Sequence, residues 1–396
     1  MKEKLRRLDP WILIPYLLLV VIGIIMVYSA SSGELIASNL SPTMYLKRQA
    51  IFAVVGLIGA ALTYIFPAHF WYSKGTVMIA VISTLGLLLL LRLISHFNPS
   101  AAQNGAVGWI NVGPFNIQPV EIAKLTLVLY FAYILGRREK KLINKRPGQV
   151  FAAPLALTAV FIFLTLIQPD LGGALILAFI TVVLIGASGV AWWFTVVGGA
   201  GILALFGVLV NFIGHLNKSS FFLKISGLKL YQLDRFRSFL HPFQLEQHGG
   251  AQLVNSYYAI NNGGWFGRGL GNSIQKLGYL PEPYTDFILS ITAEELGIVG
   301  ATLILILLGF LIVRSLLIGM RSRNTYHMLV CYGVSAILFV QTFINVGGLL
   351  GLIPITGVTL PFISYGGSSI IILSICMGLV LNISATEKRK REKRVR

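Results

Sequence analysis

The sequence predicts an all-α polytopic membrane protein with ten transmembrane helices, both termini cytoplasmic, and a large extracytoplasmic loop between helices 7 and 8. Hydrophobic residues make up 56% of the 396 residues, whereas charged residues make up only 12%. Apolar runs of about 20 residues, long enough to cross a bilayer as a helix, recur along the chain, so we expect residues 1–396 to form a single integral-membrane domain. The predicted spans lie near 11–30, 47–66, 75–94, 117–136, 150–167, 170–188, 190–213, 286–314, 326–347 and 360–383.

Lysine and arginine in the short loops predict the orientation. They concentrate before the first span, after the fourth, after the eighth and in the tail, residues 384–396, whereas loops 95–116 and 348–358 contain neither. Because cytoplasmic loops carry the excess of these residues, both termini are expected in the cytoplasm. We interpret the formal net charge of +18 mainly as anchoring to anionic lipid, not as a nucleic-acid footprint. A partner site in the tail is the alternative.

Residues 214–285 form the large extracytoplasmic loop of this prediction. The loop carries seven basic residues, Arg235 among them, against three acidic ones. A basic external surface suggests an anionic ligand, such as phosphate or pyrophosphate at headgroup level, because Arg and Lys form charge-assisted hydrogen bonds with it. The alternative is that long loops escape the positive-inside bias. Within the loop, 250–261 is predicted to form a short amphipathic interfacial helix.

Asp286 is the most informative residue of the chain. It stands at the mouth of the eighth predicted span, which also carries Glu294 and Glu295. A carboxylate at a membrane boundary costs free energy unless it is solvated, paired or used, so three within ten residues suggest a functional site. The alternative is a helix cap, in which Thr285 and Asp286 bond the free N–H groups of the helix that follows.

Three further polar motifs lie at predicted helix ends on the same side as Asp286. In Gln118-Pro-Val-Glu-Ile-Ala-Lys124, Glu121 and Lys124 share a helix face and can pair, either as structural glue or within a site. In Gln168-Pro-Asp-Leu-Gly172, Asp170 either caps the sixth span or contacts a ligand. The third motif, 361–369, includes Ser368, and its small residues suit close helix packing as well as ligand binding.

Together these motifs suggest glycosyl transfer on a lipid-linked sugar pyrophosphate. One ionised carboxylate can act as general base on an acceptor hydroxyl, and basic residues can stabilise the leaving diphosphate. An inverting displacement at an anomeric carbon then needs only that base and a good leaving group, not the two close carboxylates of a retaining enzyme.

Several strings resemble the SEDS family (shape, elongation, division and sporulation proteins, FtsW and RodA), and the resemblance covers essentially the whole chain. The matching strings are Gly108-Trp-Ile, Gln118-Pro-Val-Glu121 with Lys124, Gln168-Pro-Asp-Leu-Gly172, Gly263-Gly-Trp-Phe-Gly267, Leu280-Pro-Glu-Pro-Tyr-Thr-Asp-Phe287, Glu294-Glu-Leu-Gly297 and Thr356-Gly-Val-Thr-Leu-Pro-Phe-Ile-Ser-Tyr-Gly-Gly-Ser-Ser369. The chain departs from the common pattern at Gly108, where a basic residue is frequent, and at Val120, where a small hydroxyl residue is usual.

The resemblance implies a peptidoglycan glycosyltransferase that polymerises lipid II and releases undecaprenyl pyrophosphate at the bacterial cytoplasmic membrane. It implies Asp286 as the catalytic carboxylate and Glu121 and Lys124 as supporting residues in a central cavity. Weaker expectations of substrate binding fall on Gln118, Asp170, Arg235 and the Ser364–Ser369 region, Ser368 in particular. The departure at Gly108 puts a phosphate contact near 107–108 in doubt.

The strings from Asn255 to Glu282 look more like the division branch (FtsW-like) than the rod-elongation branch, which shares this chemistry. The resemblance also implies a cognate single-span transpeptidase, a penicillin-binding protein, together with the division machinery. No nucleic-acid partner is expected. Asp286 and Glu121 could bind a divalent cation loosely, Mg²⁺ or Mn²⁺, but no dedicated set of oxygen ligands is apparent.

Two other classes of protein stay open at this point. A lipid II flippase would use an intramembrane Glu–Lys pair equally well, but it needs polar lining at both leaflets, and the motifs here concentrate at one side. A scaffold that only docks a partner would leave Asp286 replaceable.

Overall fold

The computed structural model describes residues 4, 6–97, 108–112, 115–143, 147–190, 192–215, 236–246 and 250–395. Helices dominate the described chain, as the sequence predicts. They include α1 (Pro10–Ala37), α2 (Met44–Ile65), α3 (Ala68–Trp71), α4 (Lys74–Phe97), α5 (Pro119–Ile143), α6 (Pro147–Ile167), α7 (Leu171–Ala187), α8 (Trp192–His215), α9 (Ala251–Gly263), α10 (Ile288–Met320), α11 (Thr325–Leu349) and α12 (Gly367–Val395).

Nine helices of the described chain are long and apolar enough to cross a membrane, and α7, with 17 residues, is the shorter apolar helix at the predicted sixth span. Arg7 forms an ion pair of 2.8 Å with Glu392, so the described ends of the chain lie at one end of the bundle, named here the terminal end. Both ends on one side require an even number of crossings. This favours α7 as a crossing, and the count of ten stays a prediction.

One partly buried and one buried ion pair lie at opposite ends of the bundle. Asp9, the N-cap of α1, accepts a hydrogen bond of 2.7 Å from Arg314 of α10 at the terminal end. At the far end, named here the Asp286 end, Lys276 lies 2.7 Å from Glu295, which also accepts a hydrogen bond from Ser29 of α1. Ser29 follows Asp9 by twenty positions, about 30 Å along a helix, which matches the hydrocarbon thickness of a bilayer. The two pairs therefore mark the two boundaries of the apolar layer.

The predicted loop 214–285 is more structured than the sequence suggests. The amphipathic helix predicted at 250–261 is confirmed as α9, and a short 3₁₀ helix, Phe243–Leu245, precedes it. The loop also begins later than predicted, because α8 continues to His215. Residues 216–235, with Arg235, lie outside the described residues.

The segment after α9 is joined to α10 where that helix is interrupted. Gly297 has φ 73°, so the backbone of α10 is non-helical there. The peptide groups that this break frees bond the segment instead: Ile298 N–H donates to Gly264 O and Arg268 N–H donates to Glu294 O. Within the apolar layer, irregular backbone needs partners of this kind because water is absent.

Two smaller features complete the Asp286 end. Strands β1 (Ile110–Val112) and β2 (Phe115–Ile117) pair antiparallel, with Ile110 opposite Ile117. The chain from 350 to 366 is irregular, and Phe362 adopts φ 64°. The sequence predicts that the last span begins near 360, whereas α12 begins at Gly367.

Candidate active site

A polar cavity of about 370 Å³ opens at the Asp286 end. Its wall is built by the start of α2, the β-hairpin, the α6–α7 turn, the segment before α10 and the segment before α12. The lining residues are Tyr45, Arg48, Phe52, Gly108, Trp109, Asn116, Gln118, Gln168, Pro169, Asp170, Glu282, Tyr284, Thr285, Asp286, Thr356, Gly357, Thr359, Tyr365, Gly366, Gly367, Ser368 and Ser369. Four predicted site residues, Gln118, Asp170, Asp286 and Ser368, thus share one cavity.

Asp286 lies at the cavity wall immediately before α10. The N-cap of α10 is Phe287, so Asp286 stands one residue ahead of the position that the capping interpretation assigned to it. The residue before it, Thr285, bonds back to Glu282 and not forward into the helix. The cavity position therefore agrees better with the functional interpretation of Asp286 than with a capping role.

The expected cluster of three acids does not form. Glu294 accepts hydrogen bonds from Ser273 Oγ and from the N–H groups of Ile274 and Gln275, and Glu295 pairs with Lys276. Both carboxylates are fully buried and neither lines the cavity. They follow Asp286 by about two helical turns. Their hydrogen bonds and ion pair attach the segment 264–280 to α10. Their role is structural at this site.

Glu121 and Lys124 form the predicted pair, with Lys124 Nζ 2.7 Å from Glu121 Oε1. Both side chains are almost completely buried in α5 and neither lines the cavity directly. Gln118, one turn earlier, does line it, and its N–H donates to Ser368 Oγ at 2.9 Å. The same hydroxyl donates to Asn116 O at 2.7 Å, so Ser368 ties the β-hairpin to the start of α12 as well as facing the cavity.

Asp170 is the N-cap of α7, as the capping interpretation predicts, and its carboxylate accepts a 2.7 Å hydrogen bond from Gly173 N–H. Burial in the cavity wall raises the pKa of the Asp170 carboxyl above its ordinary value. The Gly173 N–H and the Lys124 ammonium act in the opposite direction, and Glu121 adds to the increase. These interactions connect Asp170 electrostatically with the buried pair behind it.

Three tyrosines and one arginine, to which the sequence motifs give no role, also line the cavity. The rings of Tyr45 and Tyr284 stack at 4.6 Å, and Tyr365 meets Tyr45 edge-on at 4.8 Å. Burial raises the pKa of the Tyr284 and Tyr365 phenols, against the lowering effect of Arg48 on Tyr365, so both phenols stay protonated donors. The sequence contains an indication for Arg48. Together with Lys47 it places two cations at the predicted external end of the second span, against the positive-inside rule.

The cavity is acidic on balance within the described chain. Asp170, Glu282 and Asp286 line it, whereas Arg48 is the cationic side chain among its described lining residues. Across the described ranges, no three His, Cys, Asp or Glu side chains come close enough together to hold a metal ion. The cavity can therefore offer a general base, several hydrogen-bond donors and one guanidinium to a polar substrate.

Comparison with known proteins agrees with this geometry. Residues 10–389 match the family of FtsW, RodA and SpoVE, described as cell cycle proteins. A probable peptidoglycan glycosyltransferase FtsW from Lactococcus lactis subsp. lactis is 40% identical, over 96% of this chain and 93% of that relative. Stage V sporulation protein E from Bacillus subtilis is 37% identical, over 95% of this chain and 96% of that relative.

Two solved structures share the fold. A peptidoglycan synthase complex whose description concerns coordination of polymerization and crosslinking has a chain that is 28% identical, with a TM-score of 0.73 and coverage of 96% of this chain and 98% of that one. The rod shape determining protein RodA of Thermus thermophilus is 26% identical, with a TM-score of 0.65 and coverage of 95% and 96%. The chain therefore belongs to the FtsW/RodA/SpoVE family of polytopic membrane proteins.

Proposed function

We propose that this protein is a peptidoglycan glycosyltransferase of the bacterial plasma membrane that polymerises glycan strands from lipid II. The observation that carries the proposal is the position of Asp286, on the wall of a polar cavity at the membrane boundary. Family membership supports it, because the relatives in Lactococcus lactis and Bacillus subtilis are named probable peptidoglycan glycosyltransferases FtsW. That naming also supports a role in septal wall synthesis during cell division.

In the proposed reaction Asp286 acts as general base. The 4-hydroxyl of the acceptor GlcNAc loses its proton to the Asp286 carboxylate and attacks the anomeric carbon of the chain-end MurNAc. The new glycosidic C–O bond forms as the bond to the undecaprenyl diphosphate oxygen breaks, and the diphosphate leaves with its electron pair. One carboxylate suffices because the displacement inverts the anomeric centre.

The remaining cavity residues support this chemistry by position and charge. Arg48, on the same wall, is placed to neutralise a diphosphate as negative charge develops on it. Gln118, Asp170 and Ser368 line the same space and offer hydrogen bonds to sugar hydroxyls. Glu121 and Lys124 lie behind the lining, and we assign them a supporting electrostatic role through Asp170. Arg235 stays a predicted substrate contact.

A divalent cation, Mg²⁺ or Mn²⁺, stays a prediction for this site. Glu121 is bonded to Lys124, which makes it a weaker candidate ligand than the cavity-lining Asp170, Glu282 and Asp286. Mg²⁺ in sites of this kind is held by one or two carboxylates together with substrate phosphates. Polymerisation measured with and without a chelator tests the requirement.

We also propose a cognate single-span transpeptidase, a penicillin-binding protein, as partner within the division machinery. The chain of similar fold that belongs to a peptidoglycan synthase complex supports this assembly. Co-purification of the two tagged proteins from the native membrane tests it.

The direct test is strand formation from purified lipid II by this protein with its cognate transpeptidase, comparing wild type with Asp286→Ala and Asp286→Asn. We expect polymer from the wild type and at least a hundredfold less from either folded variant, in the range that general-base catalysis contributes. Normal polymerisation by Asp286→Asn would contradict the assignment of the base. Translocation of lipid II across vesicles without polymer would instead indicate a flippase.

A further inference from the structure

The backbone that carries Asp286 is held by an unusual set of hydrogen bonds. Three consecutive carbonyl groups each accept a bond from a donor distant in sequence: Tyr284 O from Tyr365 N–H at 2.8 Å, Thr285 O from Ser364 Oγ at 2.7 Å, and Asp286 O from Asn345 Nδ2 at 2.8 Å. Helix α10 begins only after these residues, so no helical hydrogen bonds hold them in place from within. These outside donors therefore hold the backbone from which the Asp286 side chain extends.

Asn345 connects two parts of the cavity wall. Its Nδ2 donates both to Asp286 O and to Val358 O, the latter at 2.9 Å, while the side chain is nearly buried on α11. Its Oδ1 is buried and has no hydrogen-bond partner among the described residues. A buried amide oxygen of this kind costs stability, so the side chain is not explained by packing alone. A carboxamide can donate these two hydrogen bonds, whereas an apolar side chain of similar size cannot.

Ser364 makes a parallel connection. Its hydroxyl donates to Thr285 O and accepts from Leu360 N–H at 2.8 Å, and its own carbonyl accepts from the buried amide of Gln49 on α2 at 3.1 Å. Ser364 and Asn345 thus both join the Asp286 segment to the irregular segment 358–366. Neither side chain is among the residues that line the cavity, so neither contacts a substrate there.

We propose that Asn345 and Ser364 are positioning residues that hold Asp286 in its reactive place by fixing the carbonyls of residues 285 and 286. The proposal rests on the proposed function of Asp286 as general base. A base must lie within hydrogen-bond reach of the hydroxyl that it deprotonates, and a displacement of about 1 Å can cost about a hundredfold in rate. Loosening residues 284–286 should therefore lower kcat. It should change KM little, because the residues that line the cavity stay the same.

The first experiment uses the serine. Ser364→Ala removes the donor to Thr285 O, whereas Ser364→Thr keeps a hydroxyl at the same position. We expect about a tenfold lower kcat for strand formation from lipid II in Ser364→Ala, with KM changed less than about twofold, and recovery of most of the rate in Ser364→Thr. The matched control is Ser335→Ala, which removes another buried serine hydroxyl, bonded to Ile312 O and Cys331 O away from the cavity.

The second experiment uses the asparagine, for which the chain offers a close control. Asn382, buried on α12 at the terminal end, likewise donates through Nδ2 to Thr63 O, Tyr64 O and Phe66 O. Asn345→Asp and Asn382→Asp each place a carboxylate against carbonyl oxygens. We expect similar losses of thermal stability in both, but a kcat reduced about tenfold or more only in Asn345→Asp. Equal effects on kcat would indicate a merely structural role.

A readout independent of activity separates this inference from the proposed function. Hydrogen exchange of the amides of residues 285–290 should accelerate in Ser364→Ala and Asn345→Asp but not in Ser335→Ala or Asn382→Asp. Wild-type and Asp286→Ala proteins run alongside in the polymerisation assay. If neither makes polymer, the proposed function fails while the exchange still tests the positioning. If wild type is active and both positioning variants keep full kcat with unchanged exchange, the inference is overturned alone.

Discussion

Glu121 and Lys124 are charged residues of α5 whose side chains are buried in the helix bundle, with Lys124 Nζ 2.7 Å from Glu121 Oε1. Removing one partner leaves the other charge buried without compensation, a loss of about 3–5 kcal/mol, whereas replacing both by uncharged residues costs little. We therefore expect Lys124→Met to lower the unfolding temperature in detergent strongly. The double variant Glu121→Gln/Lys124→Met should recover most of the loss.

Polymerisation distinguishes structural from functional roles of this pair. If the pair supports catalysis through Asp170, the double variant should be stable and still poorly active. A stable, fully active double variant would show that the pair only stabilises the fold.

Asp170 gives a pH-dependent prediction. Because its pKa is raised in the native protein, the native state binds this proton more tightly than the unfolded chain does. Its contribution to stability is therefore greatest at low pH and declines as pH rises from the ordinary value of 3.8 to the raised one. Asp170→Asn keeps an N-cap for α7, since Asn caps about as well as Asp, and removes the partly buried charge.

We expect Asp170→Asn to unfold at the same or a higher temperature than wild type at pH 7, and to show a weaker gain in stability on acidification. Thermal unfolding of both proteins across pH 4–8 checks this. A variant that is less stable than wild type at pH 7 would contradict the prediction, because it would mean that the contacts of the carboxylate with Gly173 N–H and Lys124 outweigh the cost of burying its charge.

Single residues differ in how far sequence could predict their role. The positions of Asp286, Gln118 and Asp170 at the cavity were predictable, because each is a polar residue at the end of an apolar run, where an unsolvated charge or amide is costly; their roles stay predictions. Arg48 was missed although it breaks the positive-inside pattern. Asn345 could not be found in this way, since it lies inside an apolar span and its two acceptors belong to segments whose folding the sequence does not reveal.

Among the helices, α10 is interrupted at a single glycine, Gly297, and this interruption requires a residue without a side chain. At Gly297 an added Cβ would lie 2.2 Å from Trp265 O and 2.5 Å from Gly267 N, and φ is 73°. Gly297→Ala should therefore separate the segment after α9 from α10 and destabilise the protein, with a lowered unfolding temperature. Gly309→Ala on the same helix is the matched control, because a Cβ there meets nothing within 4 Å.

Gly309→Ala should leave stability unchanged or raise it by about 0.5–1 kcal/mol, the ordinary gain for Ala over Gly inside a helix. Gly297→Ala should also speed proteolysis of the region from 264 to 280. Equal unfolding temperatures and equal proteolysis for the two variants would show that the interruption of α10 is not required for docking that segment.

The helix positions were largely predictable, and the interruptions were not. Long apolar runs are sufficient to predict spanning helices, and the amphipathic pattern of 250–261 was sufficient to predict the helix α9. The break at Gly297 depends on backbone partners from Gly264 and Arg268, contacts that no local pattern contains. For the same reason the sequence could not show that Glu294 bonds the segment after α9, through Ser273 Oγ and the N–H groups of Ile274 and Gln275.

At the scale of the whole molecule, two polar boundaries enclose one apolar layer. The pairs Asp9–Arg314 and Lys276–Glu295 lie about 30 Å apart along α1, and the cavity with Asp286 belongs to the second boundary. A lipid-linked substrate has its diphosphate at such a boundary and its chain in the apolar layer. The location of the cavity therefore suits a substrate that never leaves the membrane.

The orientation of the molecule gives the last prediction. The Lys and Arg distribution places the terminal end in the cytoplasm, and the Asp286 end then faces outward, where peptidoglycan is assembled. Exposed Asn272 lies on the segment between α9 and α10, and exposed Arg389 lies on the last turns of α12. The native Cys331 and Cys376 are fully buried and should not react, so single cysteines can be introduced directly. A membrane-impermeant maleimide added to spheroplasts should label Asn272→Cys, whereas Arg389→Cys should react only after the membrane is opened. Labelling of Arg389→Cys in intact spheroplasts would reverse the orientation and place the cavity on the cytoplasmic side, where a polymerase of external glycan strands has no acceptor.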